Sequence, residues 1–273
     1  YEQAANATPQ RHVLPHGAVQ RSFRLHGGEK ALIDAVYDTL PSGTVQLNTT
    51  VKAIRMNQEG EVTVEAEEHG RKIEWQAEEV ILAMPPRLVA RSIEFSPALP
   101  EELMQSLLEK PTWMAGQAKA VAVYDRPFWR EMGLSGQVTS WAGPLQEIHD
   151  ASPAEGEGAL FGFFGMPAAE RKELREDKVL DLVLEQLTRL FGSQAGSPTS
   201  LQYKDWSADP YTAVKEDADP LLDFPEYGPL GHAGIWEQKI LFAGTETAPE
   251  SGGHLEGALW SAEHVVSRLL GSQ

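Results

Sequence analysis

Apolar positions from Arg24 onward follow two periods. Gly27-Gly28 precedes Leu32, Ile33, Val36 and Leu40 at helical spacing, closed by Pro41-Ser42-Gly43, which predicts a helix after a glycine turn. Short alternating runs at Val45–Leu47, Val51–Met56, Val62–Ala66 and Arg71–Gln76 predict a small antiparallel sheet, with Asn57–Gly60 and Glu68–Gly70 as turns. Glu79–Met84 is an apolar run stopped by Pro85-Pro86, the pattern of a strand buried on both faces. Leu99–Leu108 reads as a short helix, Gln117–Tyr124 as a strand interrupted by one charge at Lys119, and Ala159–Phe164 as another strand. Leu174–Phe191 sets Val179, Val183, Leu187 and Phe191 among others on one helical face. Gly192–Thr199 is a connector, and an acidic, Pro-rich stretch ends near Gly234. Lys239–Ala243 then forms a short strand, and Leu255 to Leu270 an amphipathic terminal helix. Strands mixed with helices, one helix directly after each of two glycine turns, indicate an α/β or α+β protein.

Composition narrows the function classes. The 273 residues suffice for one large domain or two modest ones. Lys plus Arg number 23 against 40 Asp plus Glu, and the resulting charge of −17 repels phosphate backbones and anionic lipid surfaces, so nucleic acid and membrane are not expected partners. The absence of Cys excludes disulfides, thiolate metal sites and a cysteinyl cofactor link. No apolar run approaches the roughly 20 residues of a membrane span, and no secretion signal opens the chain, so a soluble, cytoplasmic protein is expected. Tyr1–Ala18 is polar, with two prolines and no clear period, unlike the start of a self-contained domain. This suggests a piece of a longer protein.

Chemistry concentrates in Ile240–Leu270: a strand, a loop with carboxylate and hydroxyl groups, Gly252-Gly253, then a helix. Free N–H groups at a helix start, with the positive end of its dipole, favour an anion or a ring carbonyl that becomes anionic. Two adjacent glycines admit a planar ligand close to the backbone. An ordinary strand-turn-helix capped by Ser251 fits the pattern equally well.

The string FAGTETA followed by GGHLEGA resembles the C-terminal flavin-binding segment of the FAD-dependent amine oxidases, the monoamine and polyamine oxidase family. RLHGGEKALIDAV, TTVKAI, EVILAMPP, AKAVAVYDRPFW and DWSADPYT follow the family's order, so the resemblance runs from about Phe23 to the end. It implies a partial FAD-binding domain (residues 24–106 and 209–273) and a substrate-binding domain (107–208) with a mixed or antiparallel sheet flanked by helices. Residues 1–23 would be a linker or part of the substrate domain.

By this resemblance Val51 meets the adenine of FAD, and the turn at Ala83, Met84 and Pro85 passes its ribose. Gly244, Thr245 and Glu246 lie along the ribityl and pyrophosphate portion, with Gly253 in the turn beyond. The N–H of Leu255 faces the flavin pyrimidine, where the helix dipole stabilises negative charge. Trp206 and Tyr211 match aromatics beside the flavin ring. Lys119 is the catalytic candidate: it alternates in step with Val121 and Val123, and in the family a lysine here reaches through water toward flavin N5 to stabilise charge as oxygen reoxidises the flavin. The alternative is an edge-strand lysine that reaches solvent and discourages aggregation.

Departures from the family pattern also matter. Where some members attach flavin to Cys, this chain has Lys215 or a neighbour, so FAD would be held non-covalently. Of two tyrosines that sandwich the substrate amine, one position reads His254 and the other falls near Glu216, so a simple aromatic cage is not expected. His254 would stack on or hydrogen-bond a substrate, or cap the turn. No G-x-G-x-x-G appears, so the chain matches only the C-terminal portion, with a nucleotide-binding N-terminal half as partner. His12 and His16 are separated by Pro15, which argues against a helical metal pair, and the N-x-T strings at Asn6 and Asn48 read as chance. The implied function is oxidation of a primary or secondary amine by hydride transfer to FAD, with O2 returning the flavin to its oxidised state as H2O2 forms. Two other readings remain: a non-catalytic half of a split flavoprotein, and a sister flavoprotein of the protoporphyrinogen oxidase or carotenoid desaturase type.

Overall fold

The structure, a computed structural model, describes residues 25, 27–218, 221, 223–231 and 233–271. The segment 1–23, with the His12–His16 pair and the Asn6 string, lies outside them. A boundary after Asn48 divides the chain into two units. In the first, Gly27 (φ 83°) takes the left-handed backbone that a glycine allows and leads into helix α1 (Gly28–Tyr37), where the sequence pattern places a helix. Its apolar residues Leu32, Ile33, Val36 and Tyr37 are exposed. Residues 45–47, expected as a strand, are not one.

The second unit holds three sheets. Strands β1 (Thr49–Met56), β2 (Val62–Glu68) and β3 (Arg71–Ala77) form the predicted antiparallel meander, to which β5 (Glu94–Ser96) adds in parallel beside β1. β4 (Val80–Leu82) pairs in parallel with β11 (Ile240–Phe242) in a separate two-stranded sheet. β4 departs from expectation: instead of burial on both faces, Ile81 is 42% exposed, although Leu241, its partner in register on β11, is 4% exposed and packs with Val265 of the terminal helix. Helices α2 (Pro86–Ser92) and α3 (Glu101–Glu109) follow, each opening with proline at or next to its first turn.

The third sheet has the order β10-β6-β9-β8-β7, with β6 (Ala118–Tyr124), β7 (Val138–Thr139), β8 (Leu145–Asp150), β9 (Gly158–Phe164) and β10 (Ser200–Asp205), antiparallel throughout. Between β6 and β7 lies the one-turn helix α4 (Phe128–Glu131), whose Phe128 and Trp129 are buried. Helix α5 (Ala168–Phe191) covers one face of the sheet and is broken at Arg175 (φ 66°, ψ 156°). The terminal helix α6 (Leu255–Leu269) lies against β11.

Two cores result. One joins Ala118, Ala120, Ala122 and Tyr124 of β6 and Leu160 and Phe164 of β9 to Val179, Val183 and Leu187 of α5. The other joins Ile54, Val62 and Leu82 to Val89, Leu103 and Leu107, and reaches Trp236 and Ile240 near the far end of the chain. Full burial of such aliphatic and aromatic side chains stabilises by roughly 1.5–3 kcal/mol each. The chain is therefore a mixed α/β protein. Among the described residues no helix is long and apolar enough to cross a membrane.

Candidate active site

Period two in β6 places Ala118, Ala120, Ala122 and Tyr124 against α5, and Lys119, Val121 and Val123 on the opposite, open face. The residues opposite in register share that face: Lys119 lies across from Phe163 on one side and Lys204 on the other, Val121 from Phe161 and Gln202, and Phe161 from His149. β6 is an inner strand between β10 and β9, so the reading of Lys119 as an edge-strand lysine does not hold. Its side chain is exposed, with Nζ 4.7 Å from the centroid of the Phe163 ring. Lys204 Nζ stands 4.6 Å from the Trp206 ring and donates to Asp209 at 2.5 Å, an ion pair that lowers the Asp209 pKa.

Trp206 begins directly after β10, where its N–H donates to the Gln117 carbonyl at 3.0 Å and ties it to the entry of the Lys119 strand. Asp205, next to it, is clasped by Arg171 of α5. The guanidinium, 3% exposed, donates to both Asp205 oxygens (2.8 and 2.9 Å) and to the carbonyls of Met166 (2.6 Å) and Gly116 (2.8 Å). Burial would raise the Asp205 pKa, but hydrogen bonds from Arg171, Ser207 and Tyr203 outweigh it and the net shift is downward.

The turn before α6 requires glycine at Gly244, whose φ of 148° lies outside the range of other residues. Its N–H donates to Ser261 Oγ at 3.0 Å. Thr245 Oγ1 donates to the His254 carbonyl (2.8 Å), and the buried Glu246 accepts from Thr112 Oγ1 (2.8 Å). Ser251 does not cap the helix. The N-cap is His254, with no side-chain cap bond, and Leu255 behind it is 58% exposed, so among the described residues the first-turn N–H groups lack a side-chain acceptor.

At Gly252 and Gly253 the protein's own side chains come close: a Cβ on Gly252 would meet Tyr227 at 2.5 Å, and one on Gly253 would meet Phe224 at 2.7 Å. His254 stacks on Phe224 (5.8 Å, 29°), with Nδ1 3.0 Å from the Gly252 carbonyl. Phe224 also meets Trp113, and Tyr227 OH accepts from Trp113 N–H and donates to the Pro111 carbonyl. Burial pushes the Tyr227 hydroxyl up to about 12. This Trp113–Phe224–Tyr227 cluster was not singled out by sequence; its only signal is the aromatic pair in FPEY.

The remaining candidates fall in two groups. Tyr211, 70% exposed, brings its hydroxyl within 3.4 Å of Thr50 Oγ1, next to half-buried Val51, so these two segments meet. Ala83 is exposed just beyond β4, and Pro85 is the N-cap of α2. Glu216 is ion-paired with Arg91 of α2, with Lys215 Nζ 3.9 Å away, and one of its carboxylate oxygens, Oε2, is buried without a partner. Burial acts to raise its pKa, while a backbone hydrogen bond and Arg91 pull it down more strongly. Beside it, Arg87 binds Asp217 at 2.6 Å and fixes the turn to α2. No group of three or more potential metal ligands occurs among the described residues.

A family model described as flavin containing amine oxidoreductase matches residues 3–270. The chain belongs to the flavin-containing amine oxidoreductase family. It is similar to putrescine oxidase of Kocuria rosea, 28% identical over 91% of the chain and 53% of the relative, and to flavin-containing amine oxidase B of Bos taurus, 28% identical over 93% of the chain and 48% of the relative. Among solved structures it is similar to wild-type putrescine oxidase bound to putrescine, with a TM-score of 0.68 and 25% identity over 90% of the chain and 53% of that chain. The chain thus spans about half the length of the relatives it matches. The family's cofactor is a flavin, FAD, and its members are oxidoreductases.

Proposed function

We propose that this chain supplies the C-terminal part of a flavin-dependent oxidase of a primary or secondary amine, completed by a nucleotide-binding N-terminal half. The chemistry that bound FAD would supply is uptake of hydride from the amine, with O2 as the final acceptor and H2O2 and the imine as products. The chain's own donor set fits such a group. The uncapped first turn of α6, with the N–H of Leu255, offers hydrogen-bond donors and a positive dipole end to the pyrimidine edge, where negative charge would gather. Gly244, Thr245, Glu246 and Gly253 hold that tip in place. Because Thr112 occupies one oxygen of Glu246, that side chain is anchored within the protein. Val51, Ala83 and Pro85 border the adenosine end, and Trp206 and Tyr211 flank the ring. With no Cys in the chain the flavin is held without a thioether.

Lys119, on the open sheet face and without a carboxylate partner among the described residues, supplies positive charge for oxygen reduction. His254, held flat by Phe224, and Glu216 border the substrate amine. The observation that carries this reading is the uncapped helix tip beside a turn that only glycine can make.

The test is the complete protein, the chain together with its upstream half, assayed for yellow colour and for peroxide release with a panel of amines. Lys119→Met is expected to slow flavin reoxidation more than flavin reduction. Equal slowing of both half-reactions contradicts the role of Lys119, and no turnover of any amine contradicts the oxidase reading. A second reading concerns the isolated chain: exposed Leu255, Leu259, Val266 and Leu270 form an apolar stripe along α6, which favours association with another folded half. The isolated chain is expected to be colourless and to turn over no amine, and flavin absorbance in the purified chain alone would overturn that expectation.

A further inference from the structure

We infer that Phe163 is a positioning residue for Lys119, holding its ammonium over the ring face so that the charge is directed along the open sheet face. This rests on the reading of Lys119 given above and adds to it a residue with no role there. The two residues are opposite partners in the β6–β9 ladder, Lys119 with Phe163, and Lys119 Nζ is 4.7 Å from the ring centroid. At that distance the negative face of the ring attracts a cation.

The neighbours sharpen the effect. Lys204 lies directly opposite Lys119 on β10, where a like charge would push Lys119 aside. Lys204 is instead drawn away by Asp209 at 2.5 Å and rests 4.6 Å from the Trp206 ring. One row across the sheet thus carries two ammonium groups, each with an aromatic face of its own, and among the described residues only Lys204 has a carboxylate. Glu147, in register with Phe163 on the far side, lies nearer to His149, whose Nε2 is 3.4 Å from its carboxylate. Phe163 is therefore what fixes the Lys119 ammonium. Its half-buried ring is held by T-shaped contact with Phe161 at 5.6 Å, and Phe161 in turn stacks on His149 at 5.0 Å.

Two measurements test this. In the chain without flavin, the ε-methylene protons of Lys119, assigned by Lys119→Arg, are expected to resonate upfield of the other lysines from the ring current of Phe163. The shift is expected to vanish in Phe163→Leu and return in Phe163→Tyr. In the flavin-loaded complete protein, Phe163→Leu is expected to slow reoxidation by O2 about two- to five-fold while reduction by amine is unchanged, with Phe163→Tyr restoring the rate. An unshifted Lys119 signal in the parent chain, or reoxidation unaffected by Phe163→Leu while Lys119→Met slows it, overturns the positioning role. If the ring-current shift is present but Lys119→Met leaves reoxidation unchanged, it is the underlying reading of Lys119 that fails, and the positioning role falls with it.

Discussion

Replacing Arg171 by Met tests whether the clasp between α5 and β10 holds the site together. The guanidinium is nearly fully buried and satisfies both Asp205 oxygens and two backbone carbonyls, those of Met166 and Gly116. Methionine fills similar volume but removes the charge partner of the half-buried Asp205, which keeps only the Ser207 and Tyr203 donors, and takes the Arg171 donor away from two carbonyls. Breaking a buried ion pair on one side destabilises by about 3–5 kcal/mol. At about 2–3 kcal/mol per molar urea, the unfolding midpoint should fall by about 1–2 M, read by tryptophan fluorescence. Arg171→Lys keeps charge but not the planar fork and should fall between the two. The loss should also shrink as pH falls. With Arg171 in place the Asp205 pKa is lowered, so the stability this pair adds is present above the unfolded carboxyl pKa and fades as pH falls through the lowered folded value; removing Arg171 takes that contribution away, and the difference between the two proteins closes once the carboxyl is protonated in both. A midpoint shift below about 0.3 M, or a loss that is equal at all pH values, would refute this account of the clasp.

Three further outcomes are expected. Burial works to raise the Asp150 pKa, but hydrogen bonds from Arg130, Ser152 and Trp129 hold it at about 2. Its contribution, at most about 2.5 kcal/mol, is complete above the unfolded carboxyl pKa near 4 and is lost as pH falls from there toward 2; Asp150→Asn should abolish this part of the acid sensitivity in pH-dependent urea melts. Tyr227→Phe removes the hydroxyl that bridges Trp113 N–H and the Pro111 carbonyl, and should destabilise by about 1–3 kcal/mol in the same assay. Leu259→Lys combined with Val266→Lys places charge on the exposed stripe of α6 and should lower self-association of the isolated chain, measured by sedimentation, with little change in its unfolding midpoint.

Periodicity within one element was readable wherever burial was one-sided. The helical face of Val179, Val183 and Leu187 is buried as the spacing predicts, and alternation correctly grouped Lys119 with Val121 and Val123. Period two cannot tell which face a helix covers, so the openness of the Lys119 face came only with the fold. β8 escaped notice because an irregularity between Leu145 and Glu147 breaks its alternation, and β7, two residues long, has no period to detect. Within the site, the glycine turn and helix tip were legible because their residues are contiguous. The Arg91–Glu216 pair spans 125 positions and the Trp113–Phe224–Tyr227 cluster is drawn from two distant segments, so neither leaves a local pattern. The packing of Gly252 and Gly253 was hidden for a related reason: the Tyr227 and Phe224 side chains that leave no room for a Cβ there lie more than twenty residues upstream.

Ser261 sits inside α6, well behind its first turn, yet its hydroxyl accepts from the Gly244 N–H and lies 3.2 Å from Thr247 Oγ1. The strand exit and the helix body are pinned to each other at that point, in addition to the bond from Thr245 to the His254 carbonyl across the loop. The direction in which the helix aims is consequently set from its middle. The exposed side chains of Pro249 and Glu250 are then free to diverge, adapting the rim to different molecules without disturbing that alignment.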